Sequence, residues 1–214
     1  MSSNLFNHYI SALRNNLKKP LPGIDVQYQM APVTRKEQLL YNQSDVPPRE
    51  SAVLALLYPD NNDAKLVLIK RATDNTVHSG QISFPGGSAE PTDHNAASTA
   101  LRETREELGI DINRINLLGK LTPVYISPSN FNVIPFVGYM NEKPVFNPNH
   151  NEVDRVITVF ISELLKPGAK TVRKVTTKYA VDLEAPCFII EGEILWGATA
   201  MMINELLEVL KNQH

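Results

Sequence analysis

The stretch ALRETREELGI, residues 100–110, carries three glutamates and no lysine. On a helix, residues three and four positions apart lie on one face, so Glu103, Glu106 and Glu107 would be neighbours. Like charges at this spacing destabilise an isolated helix by roughly 0.2–0.5 kcal/mol per pair. Neither flanking arginine lies four residues from Glu103 or Glu107. Arg102 and Arg105 could soften this repulsion from the flanks, and a cation supplied from outside the chain would remove it.

A glycine loop, FPGGSAEPTDHN at residues 84–95, runs directly into this helix. The paired glycines Gly86 and Gly87 allow the backbone to approach a ligand closely, and a glycine loop before a helix presents amide groups to an anion. Carboxylates are the hard oxygen ligands that Mg²⁺ and Mn²⁺ prefer, often together with substrate phosphates. The combination predicts a metal-dependent site for a phosphate substrate. The alternative interpretation is a solvated, salt-bridged helix face.

The composition narrows the class of partner. The chain has 214 residues, 43% hydrophobic and 21% charged, with a net charge of −2. This balance gives no basic field for nucleic acid, so we expect a small-molecule substrate. The single cysteine, Cys187, excludes an internal disulfide framework. We see no secretory signal and no apolar run of 18 residues, so we expect no membrane partner and a cytoplasmic location.

Hydrophobic periodicity predicts strands mixed with two substantial helices, which is typical of a sheet with helices on its faces. The N-terminal helix is expected over residues 4–17, followed by an extended arm to residue 50. We place the N-terminal helix and arm at 1–33 and the main domain at 34–214. The acidic helix is predicted over 94–109, with Asp93 or Asn95 as its N-cap and Gly109 as its stop. The other predicted elements are a hairpin of 51–59 and 65–71, a strand at 81–84 stopped by Pro-Gly-Gly, strands at 116–126 and 132–140, a strand running into a helix at 151–165, strands at 171–183 and 187–197, and a helix at 198–212.

The segment RETREELGI, residues 102–110, resembles the second half of the Nudix box, G-x5-E-x7-R-E-U-x-E-E-x-G-U, in which U is bulky and apolar. Thr104 stands at one U position. A shift of one residue in the first half places Gly87 at the glycine and Asp93 at the acidic position. The resemblance implies an α/β/α sandwich with a mixed sheet, the Nudix fold, here with an N-terminal helical extension.

The upstream segment LIKRATDNTVHSGQISFPGG, residues 68–87, resembles the signature of the coenzyme A pyrophosphatase subgroup. It matches at Arg71, Gly80, Gln81 and the F-P-G-G run, whereas Thr76 stands where an arginine is often found. This resemblance implies hydrolysis of the diphosphate of coenzyme A or acyl-CoA to 3′,5′-ADP and (acyl-)4′-phosphopantetheine. The alternatives are a pyrophosphatase for ADP-ribose or another nucleoside diphosphate derivative, and a non-catalytic nucleotide-sensing module.

The resemblance also implies the roles of individual residues. Mg²⁺ or Mn²⁺ is expected on Glu103, Glu106, Glu107 and the carbonyl of Gly87, with Arg102 holding the glutamates. The general base is either Glu103 or Glu152, and sequence alone does not rank them.

Several residues upstream of the acidic helix are expected to contact substrate. Arg71 lies on a strand with its side chain opposite Lys70, and we expect it to bind a phosphate, for instance the 3′-phosphate of coenzyme A. Asp93 is expected to cap the helix rather than to bind metal. The macromolecular partner considered is a second copy of the chain, in a homodimer. The substrate-binding residues implied are Arg71, His78, Gln81, Gly86 and Gly87.

Overall fold

The computed structural model describes residues 5–32, 46–73, 79–176 and 181–211. Its helices are α1 (Leu5–Asn16), α2 (Gly23–Gln27), α3 (Ala96–Leu108), α4 (Ile161–Leu165) and α5 (Gly197–Lys211). Its strands are β1 (Arg49–Asp60), β2 (Asp63–Arg71), β3 (Ile82–Ser83), β4 (Gly86–Ser88), β5 (Asn116–Lys120), β6 (Val124–Ile126), β7 (Phe131–Tyr139), β8 (Val153–Phe160), β9 (Lys170–Val175), β10 (Leu183–Ile190) and β11 (Glu193–Trp196).

The main sheet is mixed. Its strands run in the order β3-β2-β1-β7-β5, with β4 paired to β1, β6 to β7 and β8 to β2. β1 is parallel to β7 and antiparallel to β2. The predicted hairpin is confirmed: Asp60 pairs with Asp63 across a two-residue turn whose residues Asn61 and Asn62 both have positive φ. A smaller sheet contains β11, β10 and β9.

Alternating side chains of β1 bury the two faces of the main sheet. Leu54 and Leu56 belong to the core under α3, which also contains Leu108. Ala55 and Leu57 belong to the core on the other face, where α1 and α5 pack. Because a strand directs successive side chains to opposite faces, one hydrophobic strand supports helices on both sides. The α/β/α sandwich is confirmed.

The N-terminal segment differs from the predicted extended arm. Residues 23–27 form α2 and residues 28–30 a 3₁₀ turn. The buried carboxylate of Glu205 on α5 accepts hydrogen bonds from Gly23 N, Gln27 Nε2, and both the amide and the hydroxyl of Thr122. Because these contacts join residues far apart in the sequence, local hydrophobic periodicity does not predict them. The domain boundary predicted at 33/34 lies outside the described residues.

The strand predicted at 81–84 ends before Pro85, as predicted, but the two glycines begin a second strand that the sequence pattern does not predict. Gly86–Ser88 pairs with the start of β1, with Gly87 opposite Ala52, while β3 pairs with the end of β2. The chain crosses between them at Pro85, whose carbonyl accepts from Leu54 N at 2.9 Å. The sheet therefore opens between β1 and β2, and the glycines lie in that opening beneath α3.

Two predicted single strands are each divided in the structure. The 116–126 segment forms β5 and β6, and the 187–197 segment forms β10 and β11 around a turn with positive φ at Glu191 and Gly192. The strand running into a helix near residue 160 and the C-terminal helix are confirmed. Cys187 is fully buried.

Candidate active site

Helix α3 begins at a capping box. Asn95 Oδ1 accepts from Ser98 N at 3.0 Å, and Ser98 Oγ accepts from Asn95 N at 2.8 Å. Gly109 ends the helix with φ 65°. Asn95 is therefore the N-cap and the prediction of a cap at Asp93 is wrong; a capping side chain has to reach the amides of the first turn, and Asp93 instead accepts from Arg102.

Arg102 connects the start of α3 to the glutamates. Its Nε and Nη2 each lie 3.0 Å from a carboxylate oxygen of Asp93. Its Nη1 donates to Glu106 at 2.9 Å and lies 3.1 Å from Glu103 Oε1. The hydrogen bonds with Asp93 raise the pKa of Arg102, and the guanidinium holds the pKa of Asp93 well below its usual range. Arg102 therefore contacts the glutamates as expected, and its bond to Glu106 joins residues one helical turn apart.

The paired glycines lie against the glutamates. Gly86 N donates to Glu107 Oε2 at 2.9 Å. A Cβ on Gly87 would lie 2.4 Å from Glu103 Oε1. The carbonyl of Gly87 accepts from the hydroxyl of Ser51 at 2.6 Å, and a carbonyl has a second lone pair for another partner. A side chain at position 87 would therefore displace the carboxylate of Glu103.

Glu107 is buried without full charge compensation. Its side chain is 2% exposed, and the nearest guanidinium nitrogen, Arg71 Nη1, lies 3.8 Å away. Burial raises the pKa of Glu107 to about 8, with the negative charges of Glu103 and Glu152 adding to the increase and Gly86 N–H and Arg71 opposing it. Burial likewise raises the pKa of Glu103. This cluster favours additional positive charge.

The loop before β8 docks on the C-terminal end of α3. Asn149 N donates to the carbonyl of Glu107 at 3.0 Å, and Asn147 N donates to that of Leu108 at 2.8 Å. The carbonyl of Glu152 accepts from Ala72 N at 2.8 Å. These bonds satisfy helix-terminal carbonyls and bring Glu152 close enough for its charge to act on the α3 glutamates.

Comparison with known proteins identifies the family. Residues 48–179 match the NUDIX domain family model. The chain belongs to the Nudix family. Enzymes of this family act on phosphoanhydride bonds and generally need divalent metal ions. No helix in the described ranges is both long and apolar enough to cross a membrane.

Curated relatives support the assignment of this Nudix chain. Nudix hydrolase 3 of Caenorhabditis elegans is 32% identical over 190 residues, covering 82% of this chain and 78% of that protein. Nudix hydrolase 22, chloroplastic, of Arabidopsis thaliana is 33% identical over 72% of this chain, which spans about half (48%) of the relative's length. An uncharacterized Nudix hydrolase, NudL, of Pectobacterium atrosepticum is 33% identical over 66% of this chain and 72% of its own.

Solved structures show the same fold at low sequence identity. RenU, a Nudix hydrolase from M. Smegmatis, superposes with TM-score 0.52 and 13% identity over 86% of this chain and 96% of its own. A MutT/nudix family protein from Enterococcus faecalis gives TM-score 0.54 and 16% identity over 88% and 73% of the two chains.

The structure places the described site residues of this Nudix chain in one region, although Glu106 lies at its exposed edge. Glu106 is 45% exposed and its carboxylate bonds Arg102. His78 lies outside the described residues. Gln81 is held beside Arg71 by a backbone hydrogen bond of 3.0 Å. Lys70 points away from the site to Glu193, as predicted for strand neighbours. Across the described ranges, no three acidic, histidine or cysteine side chains are already arranged around one ion position.

Two further residues have roles that sequence reasoning missed. Ser51 bonds the Gly87 carbonyl, and nothing in its local sequence distinguishes it from other strand residues. Thr104, the departure at an apolar position of the box, is fully buried, and its hydroxyl donates to the carbonyl of Ala100 at 2.7 Å. A buried hydroxyl with an intrahelical partner is tolerated in place of an apolar side chain.

Proposed function

We propose that this chain hydrolyses the diphosphate of coenzyme A or acyl-CoA in the cytoplasm, using Mg²⁺ or Mn²⁺. The products would be 3′,5′-ADP and (acyl-)4′-phosphopantetheine. The observation that carries the hydrolytic part is the packing of Gly86 and Gly87 against the carboxylates of Glu107 and Glu103 at the opening of the sheet. The coenzyme A part is supported by the resemblance of residues 68–87 to the subgroup signature.

The donor set fits a hard divalent cation. Glu103, Glu107 and the Gly87 carbonyl would supply oxygen ligands. Burial raises the pKa of Glu107, the charges of Glu103 and Glu152 add to the increase, and a bound cation would stabilise the ionised carboxylate. When bound, the ion would neutralise the phosphates and lower the pKa of an attacking water. Glu106 would add a ligand by releasing Arg102.

We propose Glu152 as the general base. Glu103 is proposed as a metal ligand, and its Oε1 already lies 3.1 Å from Nη1 of Arg102, so its carboxylate is engaged before a water would bind. Glu152 is exposed and has no cation within ion-pair distance in the described part of the chain, and its carboxylate accepts only a long bond, 3.4 Å, from Asn149 Nδ2. Arg71, beside Glu107, would bind the diphosphate.

The experiment is a substrate comparison. Purified protein would be incubated with coenzyme A, dephospho-CoA, ADP-ribose and a nucleoside triphosphate, each with Mg²⁺ or Mn²⁺, and the products resolved by chromatography. We expect release of 3′,5′-ADP from coenzyme A. Glu107→Gln should abolish this turnover, whereas Glu208→Gln, on the distant helix α5, should retain it.

One departure in the sequence favours a second substrate class. Thr76 replaces an arginine of the coenzyme A signature, which favours ADP-ribose or another nucleoside diphosphate derivative. Preference for ADP-ribose in the same assay would support that activity and overturn the coenzyme A proposal. A folded protein that cleaves none of the four substrates, and binds them equally well after replacement of both Glu106 and Glu107 by glutamine, would be a nucleotide sensor.

A further inference from the structure

Ser83, the last residue of β3, lies on the face of the main sheet that carries the candidate site. It pairs with Ile69 of β2, and Ile69 belongs to the core under α3. The residues on either side of it, Ile82 and Phe84, belong to the core on the opposite face. Because successive side chains of a strand alternate between the two faces, the Ser83 side chain lies on the α3 side with the site glutamates.

The backbone before and after Ser83 is bonded to two residues of the site. Two positions before it, the carbonyl of Gln81 accepts from Arg71 N at 3.0 Å. Three positions after it, Gly86 N donates to Glu107 Oε2 at 2.9 Å. Arg71 Nη1 in turn lies 3.8 Å from Glu107 Oε1. Ser83 therefore lies between the points at which this segment contacts the site arginine and the buried glutamate.

Ser83 and Arg71 each bury one polar side-chain atom that has no hydrogen-bond partner in the described ranges. These atoms are Oγ of Ser83 and Nε of Arg71. The third such atom among the described residues is Oδ1 of Asn204, on α5 and so on the opposite face of the sheet. Burying a polar atom without a partner is unfavourable, so two such atoms together at a candidate site point to a contact that forms in another state of the protein.

The two unpaired atoms are chemically complementary. Nε of an arginine only donates, whereas a serine hydroxyl can accept. Arg71 is two residues beyond Ile69, the strand partner of Ser83, so the two side chains are diagonal neighbours on one face. Diagonal neighbours have a spacing of roughly 7–8 Å, which a side chain as long as that of arginine can bridge. A bond from Nε to Oγ would leave both Nη groups of Arg71 for a ligand.

We propose that Ser83 is a positioning residue for Arg71 in the substrate complex. When the diphosphate binds, Arg71 turns from Glu107 and its Nε–H donates to Oγ of Ser83. The guanidinium then presents its two Nη groups to one phosphate as a bidentate pair, the geometry in which arginine binds phosphate most strongly. This inference rests on the proposed function in one respect, that the ligand of Arg71 is a diphosphate.

The first test is a double-mutant cycle measured on kcat/KM with coenzyme A and Mg²⁺. Ser83→Ala should lower kcat/KM by about tenfold, chiefly by raising KM, the effect of one lost hydrogen bond to a charged group. In an Arg71→Gln background the same change should have no further effect, because Ser83 acts only through Arg71. Ser83→Thr keeps the hydroxyl and should restore most of the loss. Independent, multiplicative losses in the cycle, or equal losses in Ser83→Ala and Ser83→Thr, would overturn the inference.

Thermal melting separates this role from a structural one. Ser83→Ala removes a buried hydroxyl that has no partner in the ligand-free protein, so its melting temperature should equal or exceed that of wild type. The matched control is Ser162→Ala on α4, which removes a hydroxyl that donates to Asp63; it should lower the melting temperature and leave KM unchanged. A lower melting temperature for Ser83→Ala would show that the hydroxyl stabilises the ligand-free fold, and would overturn the inference.

A binding measurement keeps this inference distinct from the proposed hydrolysis. Calorimetry with Mg²⁺ would use ADP as a diphosphate probe. Weaker binding of ADP by Ser83→Ala, by about tenfold in the wild-type background and by nothing further in the Arg71→Gln background, supports the inference even if no substrate is cleaved. Equal affinity of wild type and Ser83→Ala for ADP, or no binding of ADP by wild type, overturns it.

Discussion

The amide of Gly86 donates to Oε2 of Glu107 at 2.9 Å, so the glycine strand and the acidic helix are joined directly. The next residue, Gly87, also packs against α3, because a Cβ at this position would lie 2.4 Å from Oε1 of Glu103. β4 is in turn paired with β1. The positions of the α3 glutamates are therefore fixed by the main sheet and not by α3 alone.

The two glycines should respond differently to alanine. A Cβ on Gly86 would lie 2.4 Å from the backbone oxygen of Ala52, and its φ of 149° is strained for other residues. We expect Gly86→Ala to reduce the free energy of unfolding by at least about 2 kcal/mol. On Gly87 the Cβ meets only the end of the Glu103 side chain, which can move. Gly87→Ala should therefore unfold in urea close to wild type yet lose most turnover; equal destabilisation by the two variants would contradict this.

Glu152 and Glu103 should be separable by kinetics and metal binding. If Glu152 takes the proton from water, Glu152→Gln should lower kcat by about 10²–10⁴-fold with little change in divalent-ion affinity. Glu103→Gln should lower both, because it removes a ligand. Mn²⁺ titration followed by electron paramagnetic resonance would give the affinity. A small effect of Glu152→Gln on kcat, beside a large effect of Glu103→Gln, would assign the base to Glu103.

The pair between Asp93 and Arg102 predicts a pH dependence of stability. The guanidinium lowers the pKa of Asp93 in the folded state below the ordinary value of about 3.9. A lowered folded-state pKa means that the carboxylate stabilises the fold above about pH 4, and that this contribution is lost as the pH falls toward the folded-state pKa. Asp93→Asn should therefore be less stable than wild type at pH 7, with the difference shrinking below pH 3.

Urea unfolding at both pH values would measure this difference. The exposed Asp154→Asn on β8 serves as the control and should differ little from wild type at either pH. If the free energy of unfolding of Asp93→Asn is lower than that of wild type by the same amount at pH 7 and below pH 3, the ion pair is not the cause of the lower stability.

Glu205 should be required for the N-terminal segment to dock. It is fully buried and accepts four hydrogen bonds from donors on three different residues. Glu205→Ala would leave these donors unsatisfied, and we expect a loss of about 3 kcal/mol or more in the free energy of unfolding. Glu208→Ala, on the same helix, removes only a surface ion pair with Lys211 and should lower the free energy of unfolding by less than about 1 kcal/mol. Similar losses in the two variants would contradict the role of Glu205.

Several features of this protein could be predicted from the sequence because each is encoded over a short stretch. The acidic helix, the hairpin around Asn61 and the C-terminal helix follow from hydrophobic periodicity, turn residues and helix stops. The chemistry follows too, since carboxylates next to a glycine loop are suited to metal and phosphate wherever they lie. The opposite orientations of Lys70 and Arg71 need only the period of a strand.

The tertiary structure decided which groups become neighbours. Asp93 pairs with Arg102, nine residues further along the chain, instead of capping the helix. The helix at residues 23–27 depends on a carboxylate about 180 residues away. Arg49 meets Phe131 only because β1 and β7 run in parallel. Local patterns specify the shape of an element, whereas these contacts depend on strand order and on burial, which become defined only when the whole sheet has formed.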